Sequence, residues 1–182
     1  MKTIADHILD IVQNSTRAGA NLIEIIVVED RKRNLYVVEI QDNGAGMSPE
    51  VLKQATNPFF TSRKTRKVGL GLSLLKQNAE QAGGGLQLLS APGEGTTVRA
   101  IFQFDHLDRP APGDLAEVFL LAAIGHDQVR FCYRHTTGLG SFSIDTAELA
   151  ETLGEVPLAA GEVRRAVTEL IQNNLEAIGA AR

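Results

Sequence analysis

Two runs of β-branched residues, "NLIEIIVVE" ending at Glu29 and "NLYVVEIQD" ending at Asp42, stand either side of the polar stretch "DRKRN". They read as strand, turn and strand, and they constrain the chain more than any other feature. Ahead of them, Thr3 to Ala18 carries Ile4, Ile8, Ile11 and Val12 at helical spacing, with "AGAN" as a glycine stop. That is an amphipathic helix. After them "DNGAGM" must be a loop, and "SPEVLKQAT" opens a helix with Ser48 as cap and Pro49 in the first turn. "NPFFTSRKTRK" has no sustained period and reads as a longer loop, followed by a helix from about Leu70 to Gln81 that "AGGG" ends. "LQLLSA" and "TTVRAIFQF" are strands joined by the turn "PGEG".

The composition then shifts. "DHLDRPAPGD" is polar and holds two of the chain's six prolines, which predicts a boundary near Asp105 to Gly113 and units at 1–107 and 108–182. The second unit reads as a helix ("DLAEVFLLAAIG"), two strands ("QVRFCYRH", "GSFSID"), a short helix ("TAELAETLG") and a terminal helix from Gly161. It matches no catalytic motif, and a small α+β accessory domain that meets a partner or a second copy is the expectation. At 182 residues, 43% hydrophobic and 22% charged, the chain has the balance of a soluble globular protein. A net charge of −4 argues against bulk attraction to nucleic acid or anionic membrane, leaving a local basic patch open. One cysteine, Cys132, excludes an internal disulfide or a cysteine metal cluster. No apolar run reaches the roughly 20 residues of a spanning helix, so the expected compartment is the cytoplasm.

Several short stretches carry chemistry. His7, Asp10, Asn14 and Arg17 lie three, four and three apart on the first helix, a polar line predicted to face away from the isoleucines. A solvated helix face has the same pattern. Asp42, followed by Gly44 and Gly46, either caps a turn or presents a carboxylate to a donor such as an amino group, with Gly46 letting a flat ring approach. Gly69 and Gly71 stand at a helix entrance, where bare backbone amides and the helix dipole suit an anion. "RKTRK" is a cation run that is either a solvated loop or a phosphate contact.

In this order the stretches resemble the ATPase superfamily of gyrase, heat-shock chaperones, histidine kinases and mismatch-repair ATPases (GHKL). "DIVQNSTRAGA" resembles its N box, "DNGAGM" its first glycine box, "NPFFTSRK" the phenylalanine box of histidine kinases, "GLGLSLLK" its second glycine box and "GEGTTV" its closing strand. The resemblance covers about residues 3 to 104 and is nearest to the histidine kinase-like ATP-binding domain. It implies an α/β fold of two layers, with helices on one face of a mixed sheet and ATP between the helices and a lid. By the same resemblance Asn14 would hold Mg²⁺, and Arg17 would lie near the phosphates. Asp42 would accept from the adenine amino group with Thr96 in support. Gly44, Gly46, Met47, Gly69, Leu70, Gly71 and Leu72 would line the nucleotide through the two glycine boxes. Phe59, Thr61, Arg63 and Lys64 would do so from the lid, with Phe59 and Phe60 anchoring its base. Asp10, four residues before Asn14, matches the general base of the gyrase-like and anti-sigma kinase members, whereas the lid looks like that of histidine kinases. Pairing with Arg17 is the plainer role for Asp10.

No dimerisation helices with a phospho-accepting histidine precede the N box in this sequence. The expectation is therefore a stand-alone ATP-binding protein that passes the γ-phosphate to a separate protein or hydrolyses ATP. The alternative is a non-catalytic, ATP-gated regulatory module.

Overall fold

The computed structural model describes residues 1–57 and 71–181. Helix α1 (Ile4–Arg17) starts on a capping box: the Thr3 hydroxyl accepts from Asp6 N–H at 3.1 Å, and Thr3 N–H donates to the Asp6 carboxylate at 3.1 Å. Its buried stripe is Ile4, Ala5, Ile8, Ile11, Val12 and Ser15, the period the sequence predicts, with one addition. His7 is also buried, so the polar line is not wholly solvated. Strands β1 (Leu22–Asp30) and β2 (Leu35–Asp42) form the predicted antiparallel pair. A short helix α2 (Pro49–Gln54) follows, capped by the Ser48 hydroxyl. Helix α3 (Gly71–Gln81) and the pair β3 (Gly85–Ala91) and β4 (Gly95–Gln103) come next.

The remainder comprises α4 (Leu115–Gly125), β5 (Arg130–Thr137), β6 (Gly140–Asp145), α5 (Thr146–Leu153) and α6 (Gly161–Ala177). The six strands among the described residues make one mixed sheet in the order β3-β4-β2-β1-β5-β6. Helices α1, α3, α4 and α6 pack on the face that carries Ile23, Ile25, Ile40, Val98 and Phe131. This is the two-layer α/β fold expected.

Residues beyond 107 do not carry a sheet of their own. β5 runs parallel to β1, from Leu22 opposite Arg130 to Val28 opposite Thr136, so the second part of the chain extends the first part's sheet. One apolar core spans both, from Ile4 and Ile8 through Phe119 on α4 to Val167 and Ile171 on α6. The polar connector is docked as well. Ile4 N–H donates to Ala111 C=O and Ala5 N–H to Pro112 C=O, each at 2.9 Å, which gives two open amides of the first turn their acceptors. Gly113 (φ +74°) turns the chain there, where a Cβ would stand 2.9 Å from the Thr3 and Ala5 side chains.

A shared core should melt as a unit. Urea unfolding is expected to show one transition, and Phe131→Ala, at a fully buried ring, to destabilise it by about 3–5 kcal/mol. Two separable transitions would show that the parts fold independently.

Candidate functional site

The site begins where β2 ends. Strand register sets Asp42 opposite Thr96 on β4, and Thr96 opposite Ser90 on β3, so three polar side chains form a row across the sheet on its helix-covered side. Above this row lies α1. Its Ser15, in helical phase with Ile8, Ile11 and Val12, points to the sheet and donates its hydroxyl to Asp42 Oδ2 at 2.5 Å. Asp42 Oδ1 accepts from the Gly44 amide at 2.9 Å, so Asp42 caps its own loop as the turn reading expects. Each carboxylate oxygen thereby has one donor and keeps a further lone pair.

Ser90 organises the rest of the row. Its hydroxyl donates to Gly95 C=O at 2.7 Å and accepts from Met47 N–H at 2.9 Å. With that proton committed, the 3.0 Å contact to Thr96 Oγ1 is one in which Thr96 donates. The Thr96 oxygen then faces outward as an acceptor beside Asp42.

The loop after Asp42 is built by backbone contact. Ala45 N–H donates to Ala18 C=O and Gly93 N–H to Ala45 C=O, both at 2.8 Å. Asn43 Oδ1 accepts from the amides of Asn21 and Leu22 at 3.0 Å. Gly46 has φ +67°, and a Cβ on it would stand 1.9 Å from Ala91 C=O. The sequence reading gives Gly46 to the approach of a ring; the structure shows a nearer neighbour, the β3–β4 turn. Gly44 is buried, with Ala18 3.0 Å from where its Cβ would be.

A second polar chain runs along the outer side of α1. Asn14 Nδ2 donates to Asp10 Oδ2 at 3.3 Å, and Arg17 donates to Asn14 Oδ1 at 3.2 Å and to Gln13 Oε1 at 3.4 Å. Asp10 is thus tied to Arg17 through Asn14 instead of directly. Gly71 opens α3 against this line, and a Cβ there would lie 1.8 Å from Asp10 Oδ2. Only glycine lets the helix start so close to the carboxylate. Leu72 is partly buried against the core, and Met47 is half-buried in the loop. Phe59, Phe60, Thr61, Arg63, Lys64, Arg66, Lys67, Gly69 and Leu70 lie outside the described residues.

The donor set fits the groups expected of it. Asp10 and Asn14 offer a carboxylate and an amide oxygen on one helix face, hard ligands of the kind Mg²⁺ takes, and the glycine at position 71 leaves the carboxylate uncovered by any side chain of that residue. Asp42 and Thr96 offer two acceptors side by side, suited to an amino group.

A family model described as "Histidine kinase-, DNA gyrase B-, and HSP90-like ATPase" matches residues 2–106, which contain both polar groups. The chain belongs to this ATPase family. Among its relatives, a putative sensor protein of Shewanella frigidimarina is 35% identical over 103 residues, covering 56% of this chain and 16% of that protein. Sensor histidine kinase YxdK of Bacillus subtilis is 30% identical over 99 residues, covering 50% of this chain and 30% of YxdK. The chain therefore spans under a third of the length of either. Among solved structures, the ADP-complexed MutL ATPase domain of Aquifex aeolicus aligns with 93% of this chain and 70% of its own (TM-score 0.51, 14% identity). The N-terminal domain of a DNA repair protein aligns with 79% and 52% (TM-score 0.53, 20% identity). These two show a similar fold over more of the chain than the family model matches. No described helix is long and apolar enough to cross a membrane.

Ser15, Ser90 and Asn43 are the site residues the sequence reading does not single out. Ser15 is, with His7, a polar side chain in the buried stripe of α1, and Ser90 alternates inward with Leu86 and Leu88. Gly46→Ala should lower stability by about 1–3 kcal/mol from its positive φ alone, and by more from the Ala91 contact. Thermal unfolding measures it, and an unchanged midpoint would show that the loop accommodates a side chain.

Proposed function

We propose that this protein binds Mg-ATP at the Asp42 row and passes the γ-phosphate to a separate protein or to water, in the manner of histidine kinase-type ATPases. The observation that carries the reading is the Asp42 carboxylate, held in place by Ser15 and Gly44 with acceptor capacity left over beside Thr96. An adenine amino group donates to such a carboxylate. Guanine presents a carbonyl at that position, so two acceptors would meet and the base would be refused.

Along α1, Asn14 would hold Mg²⁺ through its side-chain oxygen, and Arg17, which donates to that oxygen in the structure, would lie near the phosphates. Bound Mg²⁺ would offset phosphate charge and hold the phosphate oxygens in place. Asp10, four residues before Asn14, orients the attacking hydroxyl or water and takes its proton. Positioning and charge stabilisation carry most of phosphoryl transfer, so this base adds to the rate without carrying it alone.

Calorimetry with Mg-ATP, Mg-ADP and Mg-GTP tests the pocket. ATP and ADP are expected to bind and GTP not to, and Asp42→Ala to weaken ATP by at least about tenfold, the worth of a hydrogen bond to a charged group. Equal binding of ATP and GTP would remove Asp42 as the reader of the base.

Asp10→Asn tests the chemistry, since it keeps size and polarity and removes the charge. Single-turnover assays should show Mg-ATP bound as in the parent and transfer or hydrolysis lower by about 10²–10⁴-fold. Wild-type turnover in the variant would leave Asp10 without a catalytic role, and a parent that binds ATP without consuming it is a regulatory module.

A further inference from the structure

His7 is a polar residue in an apolar place. It is 1% exposed, and its Nδ1 is buried with no partner among the described residues. Its Nε2 lies 2.9 Å from the side-chain amide nitrogen of Asn78 on α3. With that amide donating, Nε2 accepts, and the imidazole's own proton sits on the unpartnered Nδ1. A buried, unsatisfied N–H is a net cost to folding. A leucine at position 7 would carry no such cost beside Ile4, Ile8 and Ile11, so packing alone gives no reason for histidine here.

We propose that His7 is a positioning residue which, through Asn78, holds α3 on α1 so that the Gly71 end of α3 stays seated on Asp10. Gly71 and Asn78 are seven residues apart, on one face of α3 and two turns from each other. His7 and Asp10 are three apart on the facing side of α1. The α1–α3 interface therefore has two fixed points, backbone against carboxylate at Gly71 and imidazole against amide at Asn78. The first lacks a directional bond of its own from Gly71, since it is a close approach that a glycine permits. The second supplies direction, because a hydrogen bond weakens steeply with misalignment. Sliding α3 along α1 by one residue, about 1.5 Å, would break it and lift Gly71 from Asp10.

The functional half of this inference rests on the nucleotide reading above; the structural half does not. The test uses the full chain with His7→Leu, which keeps an apolar volume without the hydrogen bond, and His7→Gln, whose amide can restore one. Amide hydrogen exchange over residues 72–79 reports the seating of α3 without nucleotide, and calorimetry reports Mg-ATP affinity. His7→Leu is expected to keep its melting midpoint, to exchange about tenfold faster over α3 and to bind Mg-ATP about tenfold more weakly, one hydrogen bond's worth. His7→Gln should recover most of both. Wild-type exchange in His7→Leu, or His7→Gln as impaired as His7→Leu, would overturn the proposal. If the parent itself binds no nucleotide, the nucleotide reading fails, while the exchange comparison still decides whether His7 seats α3. Should His7→Leu not fold, Asn78→Ala removes the same bond at a half-buried position, and unaltered exchange there would overturn it equally.

Discussion

Helix α1 is packed on three sides, and the geometry of the site depends on its rotational phase. The sheet takes Ile8, Ile11 and Val12, α4 packs beside it, and α3 closes the remaining side. Burying each of those aliphatic side chains is worth about 1.5–3 kcal/mol, so a turn of the helix by one residue, about 100°, would sacrifice several of them together. The phase that buries them also decides every polar contact. It aims Ser15 at Asp42, His7 at Asn78 and Asp10 at Gly71. The apolar stripe thus sets where the chemistry stands, although none of its members takes part.

Much of this was legible in the sequence because periodicity reports phase. The spacing of Ile4, Ile8, Ile11 and Val12 fixes the helix, and two β-branched runs either side of a polar connector fix strands 22–30 and 35–42, so the element order could be read almost entirely. Asp42, Asn14 and Asp10 were legible for another reason: each sits at a fixed offset from a glycine or an asparagine in a recognisable motif. What escaped was tertiary. Ser15 and Ser90 occupy inward positions of otherwise apolar patterns, and a polar residue at such a position asks for a buried partner. The sequence raises that question without naming the partner, which needs the β2–β4–β3 register. His7 lies at a helical offset from Asp10 and Asn14 that places it on a polar line, where a structural and a solvated histidine look alike in sequence. Only the docking of α3 turns that line inward at one end.

The glycines divide by the same logic. At Gly46 and Gly95 the missing Cβ lets one backbone lie against another, with 1.9 Å between the ideal Cβ and the opposing carbonyl oxygen of Ala91 or Asp42. These two positions weld the loop after β2 to the β3–β4 turn, so Asp42 and Thr96 move as one body. Gly71 is different, because its missing Cβ clears a carboxylate instead of a backbone. Gly46 and Gly71 belong to the two glycine boxes and Gly95 to the closing strand; physically, Gly46 and Gly95 join two backbones and Gly71 brings a helix start against a carboxylate.

The segment after residue 107 extends the same sheet beyond β1. The family match ends at residue 106, where β1 would be the sheet's outer strand, with its unpaired N–H and C=O groups open to other chains. In this protein β5 covers that edge along seven register pairs, and a buried network fastens it: Tyr133 Oη to His135 Nδ1 at 2.7 Å, and His135 Nε2 to Glu29 Oε1 at 2.9 Å. Glu29 Oε1 also accepts from Ala181 N–H at 2.8 Å, which draws the chain's end onto β1. Buried polar groups of this kind tolerate few arrangements, because each mispaired one costs more than an apolar contact would lose. The strand they fasten shares one apolar core with α4, which packs beside α1, the helix whose Ser15 reaches Asp42. Through this packing the C-terminal segment supports the helix that carries Asp10, Asn14 and Ser15.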